Sequence, residues 1–93
     1  MANYRLSIRK IERSDMPSII TWARNQNLMK HLHIALPQTE QNGNQWFQRS
    51  LIDRNRDDFV IHAVNEEGER TPIGMLGLFN IDEANKKAEY YIL

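Results

Sequence analysis

The stretch that decides the fold is Phe59-Val60-Ile61-His62-Ala63-Val64. Its residues are mainly β-branched or aromatic, the types that fit a pleated, half-buried surface best. A polar connection (Asn-Glu-Glu-Gly-Glu-Arg, residues 65–70) follows it, and Gly68 stands where a hairpin turn needs a positive φ angle. The sequence therefore predicts a strand that turns back into an antiparallel partner.

The predicted partner is a long strand over Thr71–Ile81. It contains Gly74 and Gly77, and glycines inside a strand indicate a bulge or a close approach by another part of the chain. After a second polar connection at residues 82–87, the apolar run Ala88–Leu93 predicts one more strand. These three strands should form consecutive antiparallel hairpins.

The N-terminal segment alternates in polarity, with Tyr4, Leu6 and Ile8 on one side. Arg5, Ser7 and Arg9 occupy the other side, which is typical of a half-buried strand. Apolar residues at three- and four-residue spacing then predict two to three helices. The first predicted helix begins near Ser14–Pro17, and a short second one covers Leu28–Leu32. The third covers Asn44–Arg56, with Thr39 or Asn42 as its N-terminal cap. The pattern is that of one α+β domain over residues 1–93, with a mostly antiparallel sheet of about four strands.

Composition excludes several classes of function. Twelve basic and twelve acidic residues cancel, so the bulk charge does not favour nucleic acid or an anionic membrane as a partner. The absence of cysteine excludes disulfides, thiolate nucleophiles and zinc–thiolate sites. The apolar runs are much shorter than the ~20 residues that span a bilayer. We therefore expect a cytoplasmic protein that binds neither nucleic acid nor membrane.

Four stretches, taken in order and spacing, resemble one family. They are Leu6-Ser7-Ile8-Arg9 with Glu12-Arg13-Ser14-Asp15, Trp22-Ala23-Arg24-Asn25, Pro72-Ile73-Gly74-Met75-Leu76-Gly77-Leu78, and Asn85-Lys86-Lys87-Ala88-Glu89-Tyr90-Tyr91-Ile92-Leu93. Together they are similar to the N-terminal half of GNAT-superfamily acetyltransferases, in the branch that modifies ribosomal-protein N-termini, polyamines and amino-sugar nucleotides. The resemblance implies a GNAT-like partial fold and acetyl-CoA-dependent transfer of an acetyl group to a primary amine of a small molecule or peptide.

The resemblance also implies that the family's cofactor loop is missing from these 93 residues. The family's Gln/Arg-x-x-Gly-x-Gly/Ala loop offers backbone N–H groups to the pyrophosphate of coenzyme A, and it would follow Leu93. Gly43, Gly68, Gly74 and Gly77 are not clustered between a strand and a helix. We therefore expect a partial domain, truncated after the fourth strand, that binds acetyl-CoA poorly and is inactive alone.

Three residue groups are candidates for the site by this resemblance. Glu89 stands where relatives place a carboxylate that deprotonates the amine, although a strand-edge glutamate is the simpler interpretation. Backbone groups of Tyr91, Ile92 and Leu93 would pair with the pantetheine arm like an added strand, whereas the side chains of Ile92 and Leu93 equally suit the core.

The acceptor amine is expected near the end of the first helix, where the resemblance points to Trp22, Arg24 and Asn25. An arginine there could grip a phosphate or carboxylate, although packing of the tryptophan and a helix-dipole role for the arginine are common alternatives. His31 and His33 have a spacing that can chelate a metal, but with His62 far away in sequence we predict no metal site.

A non-enzymatic alternative also fits the sequence. An exposed apolar strand at a sheet edge is prone to pair with another chain. In this interpretation the chain is an assembly or binding module that forms homo-oligomers through the edge of Ala88–Leu93.

Overall fold

The computed structural model describes residues 4–30, 32 and 34–93. Its four strands form one antiparallel sheet in the order β1-β2-β3-β4. The strands are β1 (Arg5–Lys10), β2 (Asp57–Val64), β3 (Arg70–Asp82) and β4 (Lys87–Ile92). Between β1 and β2 lie a 3-10 turn (Arg13–Asp15) and the helices α1 (Met16–Arg24), α2 (Gln26–Met29) and α3 (Glu40–Ile52). The predicted α+β class is confirmed.

Local signals fix where the helices begin and end. Pro17 lies in the first turn of α1, where its missing N–H costs no hydrogen bond. Thr39 caps α3, and its hydroxyl accepts a hydrogen bond from the backbone N–H of Asn42 at 3.1 Å. Thr39 is one of the two caps predicted for this helix and is confirmed, whereas the predicted end of the helix at Arg56 is wrong because α3 ends at Ile52. Asp53 leaves the helical conformation and its carboxylate accepts the N–H of Asn55 at 2.8 Å, which starts the turn into β2.

The helices α1 and α3 pack together on one face of the sheet. Their shared core comprises Ile11, Met16, Ile19, Ala23, Leu36, Trp46, Phe47, Val60, Met75 and Tyr91. Gly43 of α3 lies where the two helices meet. A Cβ atom at this position would stand 3.1 Å from Cδ1 of Ile20 in α1. A side chain there would have to displace the ends of the Ile20 and Met16 side chains.

The orientation of β1 is the reverse of the one expected for an amphipathic strand, whose apolar side normally faces the core. Its alternation is confirmed, but Ser7 and Arg9 turn toward the helices, while Leu6 and Ile8 are exposed on the other side. Arg9 can lie inward because its guanidinium donates two hydrogen bonds of 2.8 Å to the buried carboxylate of Asp15. A bidentate pair of this kind satisfies both charges away from water.

The sheet face opposite the helices is therefore apolar. We call it the open face and define it as Leu6, Ile8, Phe59, Ile61, Ala63, Leu76, Leu78, Tyr90 and Ile92. Cross-strand partners in an antiparallel sheet share a face, and the register joins these residues from β1 to β4.

The bulge predicted from the β3 glycines is confirmed. Ile61 pairs with Gly74 and His62 pairs with Pro72, so Ile73 is the additional residue on β3. Gly68 also has the predicted positive φ, at 81°. Within residues 4–30, 32 and 34–93, no helix is long and apolar enough to cross a membrane.

Candidate functional site

A cleft of about 570 Å³ follows the free edge of β4. Leu32 and Ile34, from the segment after α2, line it together with Phe79 of β3. The remaining wall is the strand itself, Ala88 to Ile92. Apart from one carboxylate, the described side chains around this cleft are apolar or aromatic.

That carboxylate belongs to Glu89, the residue predicted to act as a base. Its Oε2 atom accepts a hydrogen bond from Nδ2 of Asn80 at 2.5 Å. Asn80 has a φ angle of 51°, a left-handed conformation that asparagine tolerates better than most residues. A carboxylate fixed at an apolar wall can attract a protonated amine and accept a proton from it.

The backbone of β4 offers its free hydrogen-bonding groups at alternate residues. Leu93 exchanges two hydrogen bonds with Met75, at 2.8 and 3.4 Å. Paired and unpaired positions alternate in an antiparallel ladder. The backbone N–H and C=O groups of Tyr91 therefore also point to β3, whereas those of Tyr90 and Ile92 point to the cleft. Of the three predicted pantetheine-binding residues, Ile92 alone presents its backbone to the free edge.

The side chain of Tyr91 lies in the core rather than in the cleft centre. Its hydroxyl donates a hydrogen bond to Oδ1 of Asp58 at 2.5 Å, and burial raises the pKa of this hydroxyl far above its usual value. Asp58 also accepts from Ser50 at 2.6 Å and from the Arg56 guanidinium at 2.9 and 3.0 Å. This network joins β4 to α3 and β2 directly beneath the cleft.

The residues predicted for the acceptor site lie at the junction of α1 and α2. Trp22 packs against the core. Arg24 Nε donates to the carbonyl of Gln38 at 2.8 Å, and the Asn25 side chain caps α2 by accepting the N–H groups of Asn27 and Leu28. In the described part of the chain these three side chains do not line the cleft, so a role in acceptor binding stays a prediction.

His31 and His33 lie outside the described residues. His62 is buried on the helix side of β2, near Arg9. No group of three or more acidic, histidine or cysteine residues in the described ranges is arranged to hold a metal ion.

Two residues of this region escaped the sequence analysis. Asn80 interrupts an otherwise apolar strand, and an asparagine is unfavourable there, so it could have marked a special backbone conformation. Asp58 follows another aspartate at a helix-to-strand boundary, where acidic residues are normally solvated, and only the fold reveals that it is fully buried.

Solved structures share this architecture. The chain superposes on spermidine N-acetyltransferase from Vibrio cholerae in complex with CoA and spermine, with a TM-score of 0.81, 22% identity, and coverage of 95% of this chain and 50% of that one. A domain from Methanocaldococcus jannaschii matches with a TM-score of 0.69, 20% identity, and coverage of 98% and 56%. The chain thus spans about half the length of these structures.

No curated protein matches the chain in sequence. The family model described as the acetyltransferase (GNAT) domain matches residues 5–93. This match covers all four strands and the helices between them, and it confirms the family inferred from the four sequence stretches. The chain therefore belongs to the GNAT acetyltransferase family.

Proposed function

We propose that this chain supplies the acceptor side of an N-acetyltransferase that acts on primary amines. The observation that carries the proposal is the placement of Glu89, which is the only ionisable group other than the tyrosines among the described residues of the β4 cleft. Family membership supports acetyl transfer as the reaction, and the cleft gives this chain a place for the accepting amine.

The proposed role of Glu89 follows from the chemistry of amines. A protonated amine has no lone pair with which to attack a carbonyl carbon, so a neighbouring base must remove a proton first. Asn80 holds the carboxylate against the wall of the cleft, which keeps one oxygen oriented.

The residues present fit the acyl end of acetyl-CoA but not its pyrophosphate end. Acetyl-CoA, when bound, supplies an acetyl group activated as a thioester. Tyr90 and Ile92 can offer strand-type backbone hydrogen bonds to the pantetheine arm. In contrast, Gly43 is packed inside α3, and Gly74 and Gly77 lie in β3, so they form no phosphate-binding loop. We expect this chain alone to bind acetyl-CoA weakly and to be inactive.

The first amines to test are polyamines. The Vibrio cholerae structure is a complex with spermine, and a flexible polycation would place one terminal amine at Glu89. Small diamines and peptide N-termini form the comparison set. This choice rests on similarity to that protein and on the single carboxylate in the cleft.

The binding part of the proposal is tested by NMR titration of the ¹⁵N-labelled chain with spermine. We expect shift changes centred on residues 79–80 and 88–92, and a loss of affinity of about tenfold in Glu89→Gln, since one charge-assisted contact of roughly 1.5 kcal/mol is removed. Glu67→Gln is the matched control, because Glu67 is exposed in the β2–β3 hairpin away from the cleft. Equal weakening by both substitutions would refute a specific site at Glu89.

Calorimetric titration with acetyl-CoA tests the cofactor part separately. Weak or absent binding is expected because a pyrophosphate cradle is missing from the described residues. Tight binding by the 93-residue chain would contradict this expectation and would require a different phosphate site.

The second candidate function is assembly through the edge of β4. It is favoured by one observation, namely that Tyr90 and Ile92 direct their backbone groups away from β3. A strand from another chain could pair with these groups. Slowed amide exchange at both residues as the protein concentration rises would support edge pairing.

A further inference from the structure

β3 contains a second bulge, and it lies beside Glu89. Phe79 pairs with Glu89, and the next paired residue of β3 is Asp82, which faces Lys87. β3 thus advances three residues where β4 advances two. The additional residue is at Asn80, where φ is 51°, and a left-handed residue is characteristic of one common type of bulge. Bulges occur often next to functional sites, where they redirect a side chain.

This bulge changes the side to which the Asn80 side chain points. Alternate residues of a regular strand point to opposite faces, and Phe79 points toward the helices, where it packs against the core. A regular strand would therefore place Asn80 on the open face with Leu78, away from Glu89, which is the cross-strand partner of Phe79. In the bulge, Nδ2 of Asn80 instead donates to Oε2 of Glu89.

The loop between α3 and β2 fixes the backbone of the bulge. The N–H group of Ile81 donates to the carbonyl of Asn55 in this loop at 3.0 Å. Asn55 is itself held, because the Asp53 carboxylate accepts its N–H group at 2.8 Å. The position of Asn80 thus depends on an element outside the β3–β4 hairpin.

Asparagine combines two properties that this position uses. It tolerates positive φ better than most residues, and its side-chain amide is an N–H donor. The donor is neutral, so it orients a carboxylate without cancelling the negative charge that attracts an ammonium group. A lysine or arginine at this place would compete with the amine for the carboxylate.

We propose that Asn80 is a positioning residue for amine binding, which acts through the bulge of β3 by holding the Glu89 carboxylate in one orientation. This inference rests on the proposed function, in which Glu89 receives the amine. The bond to Oε2 leaves Oε1 for the amine. Without this bond, the glutamate side chain would sample several rotamers, and the amine would have to order it on binding.

NMR measurement of the Glu89 χ1 rotamer tests the positioning role without a ligand. Three-bond couplings from Cγ to the backbone nitrogen and carbonyl carbon should indicate one rotamer in the unsubstituted chain and an average in Asn80→Gly. Glycine tolerates the left-handed backbone, and protection of the Ile81 amide from exchange verifies that the bulge remains. Asn85→Gly is the matched control, because Asn85 also donates its side-chain amide to a carboxylate, that of Asp82 at 2.8 Å, and is not one of the described residues that line the cleft.

Titration with spermine then tests whether this orientation matters for binding. We expect Asn80→Gly to weaken binding about three- to tenfold, the cost of ordering one long side chain, and Asn85→Gly to leave it unchanged. In a Glu89→Gln background, Asn80→Gly should have no further effect, because Asn80 acts through the carboxylate. An equal loss of affinity in both backgrounds would overturn the proposal.

The two measurements separate this proposal from the proposed function. If spermine does not bind the unsubstituted chain, the proposed function fails, and the couplings alone decide whether Asn80 orients Glu89. If spermine binds but Asn80→Gly changes neither the couplings nor the affinity, the positioning role is refuted and the amine site stands. A check that leaves Asn80 in place uses the chemical shifts of its side-chain amide protons, which should respond to Glu89→Gln and not to Glu67→Gln.

Discussion

Asp58 is fully buried and accepts hydrogen bonds from Ser50, Arg56 and Tyr91. Burial alone would raise its pKa, yet these bonds hold the pKa of the carboxyl below its usual value. Arg56 also lies over the ring of Trp46, 5.1 Å from its centroid. One carboxylate thus connects α3, β2 and β4.

Replacement of Asp58 with asparagine should therefore be costly. Asp58→Asn leaves the partly buried Arg56 guanidinium without its counter-charge, and breaking such a pair costs about 3 kcal/mol of unfolding free energy. Urea denaturation measures the loss. The matched control is Asp57→Asn, since the neighbouring carboxylate is about half exposed and pairs with Lys10 at the surface, where the expected cost is below about 1 kcal/mol. Similar costs for both variants would contradict the structural role of the network.

At the residue scale, the sequence predicted some side chains and missed others for clear reasons. Alternation in Ala88–Leu93 placed Glu89 and Tyr91 on one face of the strand, and the register confirms that relation. The alternation could not reveal the contact of Glu89 with Asn80. The left-handed conformation of Asn80 accompanies a change of register between Phe79 and Asp82, which a regular strand pattern does not predict. Long-range polar partners such as Ser50 and Asp58 depend on tertiary packing, which local pattern does not encode.

At the element scale, Gly77 determines how β3 and β4 fit together. A Cβ atom at this position would lie 2.3 Å from Cε1 of Tyr91, so the tyrosine ring occupies the space that any other residue would need. Only glycine allows the ring to cross β3 and reach Asp58.

We predict that Gly77→Ala lowers the unfolding free energy by about 2–3 kcal/mol, because the ring must move and its hydrogen bond is lost. A double-mutant cycle with Tyr91→Ala isolates the cause. In the Tyr91→Ala background, Gly77→Ala should cost little, since the obstructing ring is gone. An equal cost in both backgrounds, measured by urea denaturation, would show that the glycine acts through backbone conformation instead.

The elements themselves were largely predictable, but their orientation was not. β-branched runs and hairpin residues identified β2 to β4 within a few positions, and the glycines of β3 indicated the bulge at Ile73. Alternation in β1 gave two sides without stating which one meets the helices. The outcome depended on the Arg9–Asp15 pair, which makes the polar side compatible with burial.

At the scale of the whole molecule, stability should depend on pH through His62. The imidazole is buried, and its Nδ1 has no hydrogen-bond partner among the described residues. Burial lowers its pKa, and Arg9 lowers it further, although Asp15 acts in the opposite direction. The folded state therefore favours the neutral ring. The contribution of His62 to the unfolding free energy is complete above the pKa of the unfolded chain, about 6.5, and is lost as pH falls.

We expect the unfolding free energy to decline between about pH 7 and pH 5. It should decline again below about pH 4, because the pKa values of Asp15 and Asp58 are also lowered and these carboxylates become protonated there. His62→Gln should remove the first decline and leave the second. Urea denaturation over this pH range measures both. An unchanged slope above pH 5 in His62→Gln would assign it to other groups.

The position of β1 in the sheet has a consequence for how the chain assembles. β2, β3 and β4 are joined by two short hairpins, whereas β1 pairs with β2 across the helical segment, so that Lys10 meets Phe59. The entropy lost on closing so long a loop must be compensated before that pairing becomes favourable. We therefore expect the three-stranded meander, whose contacts are local, to form first and β1 to pair with it after α1 and α3 have folded back. The first strand in sequence would then be the last to enter the sheet.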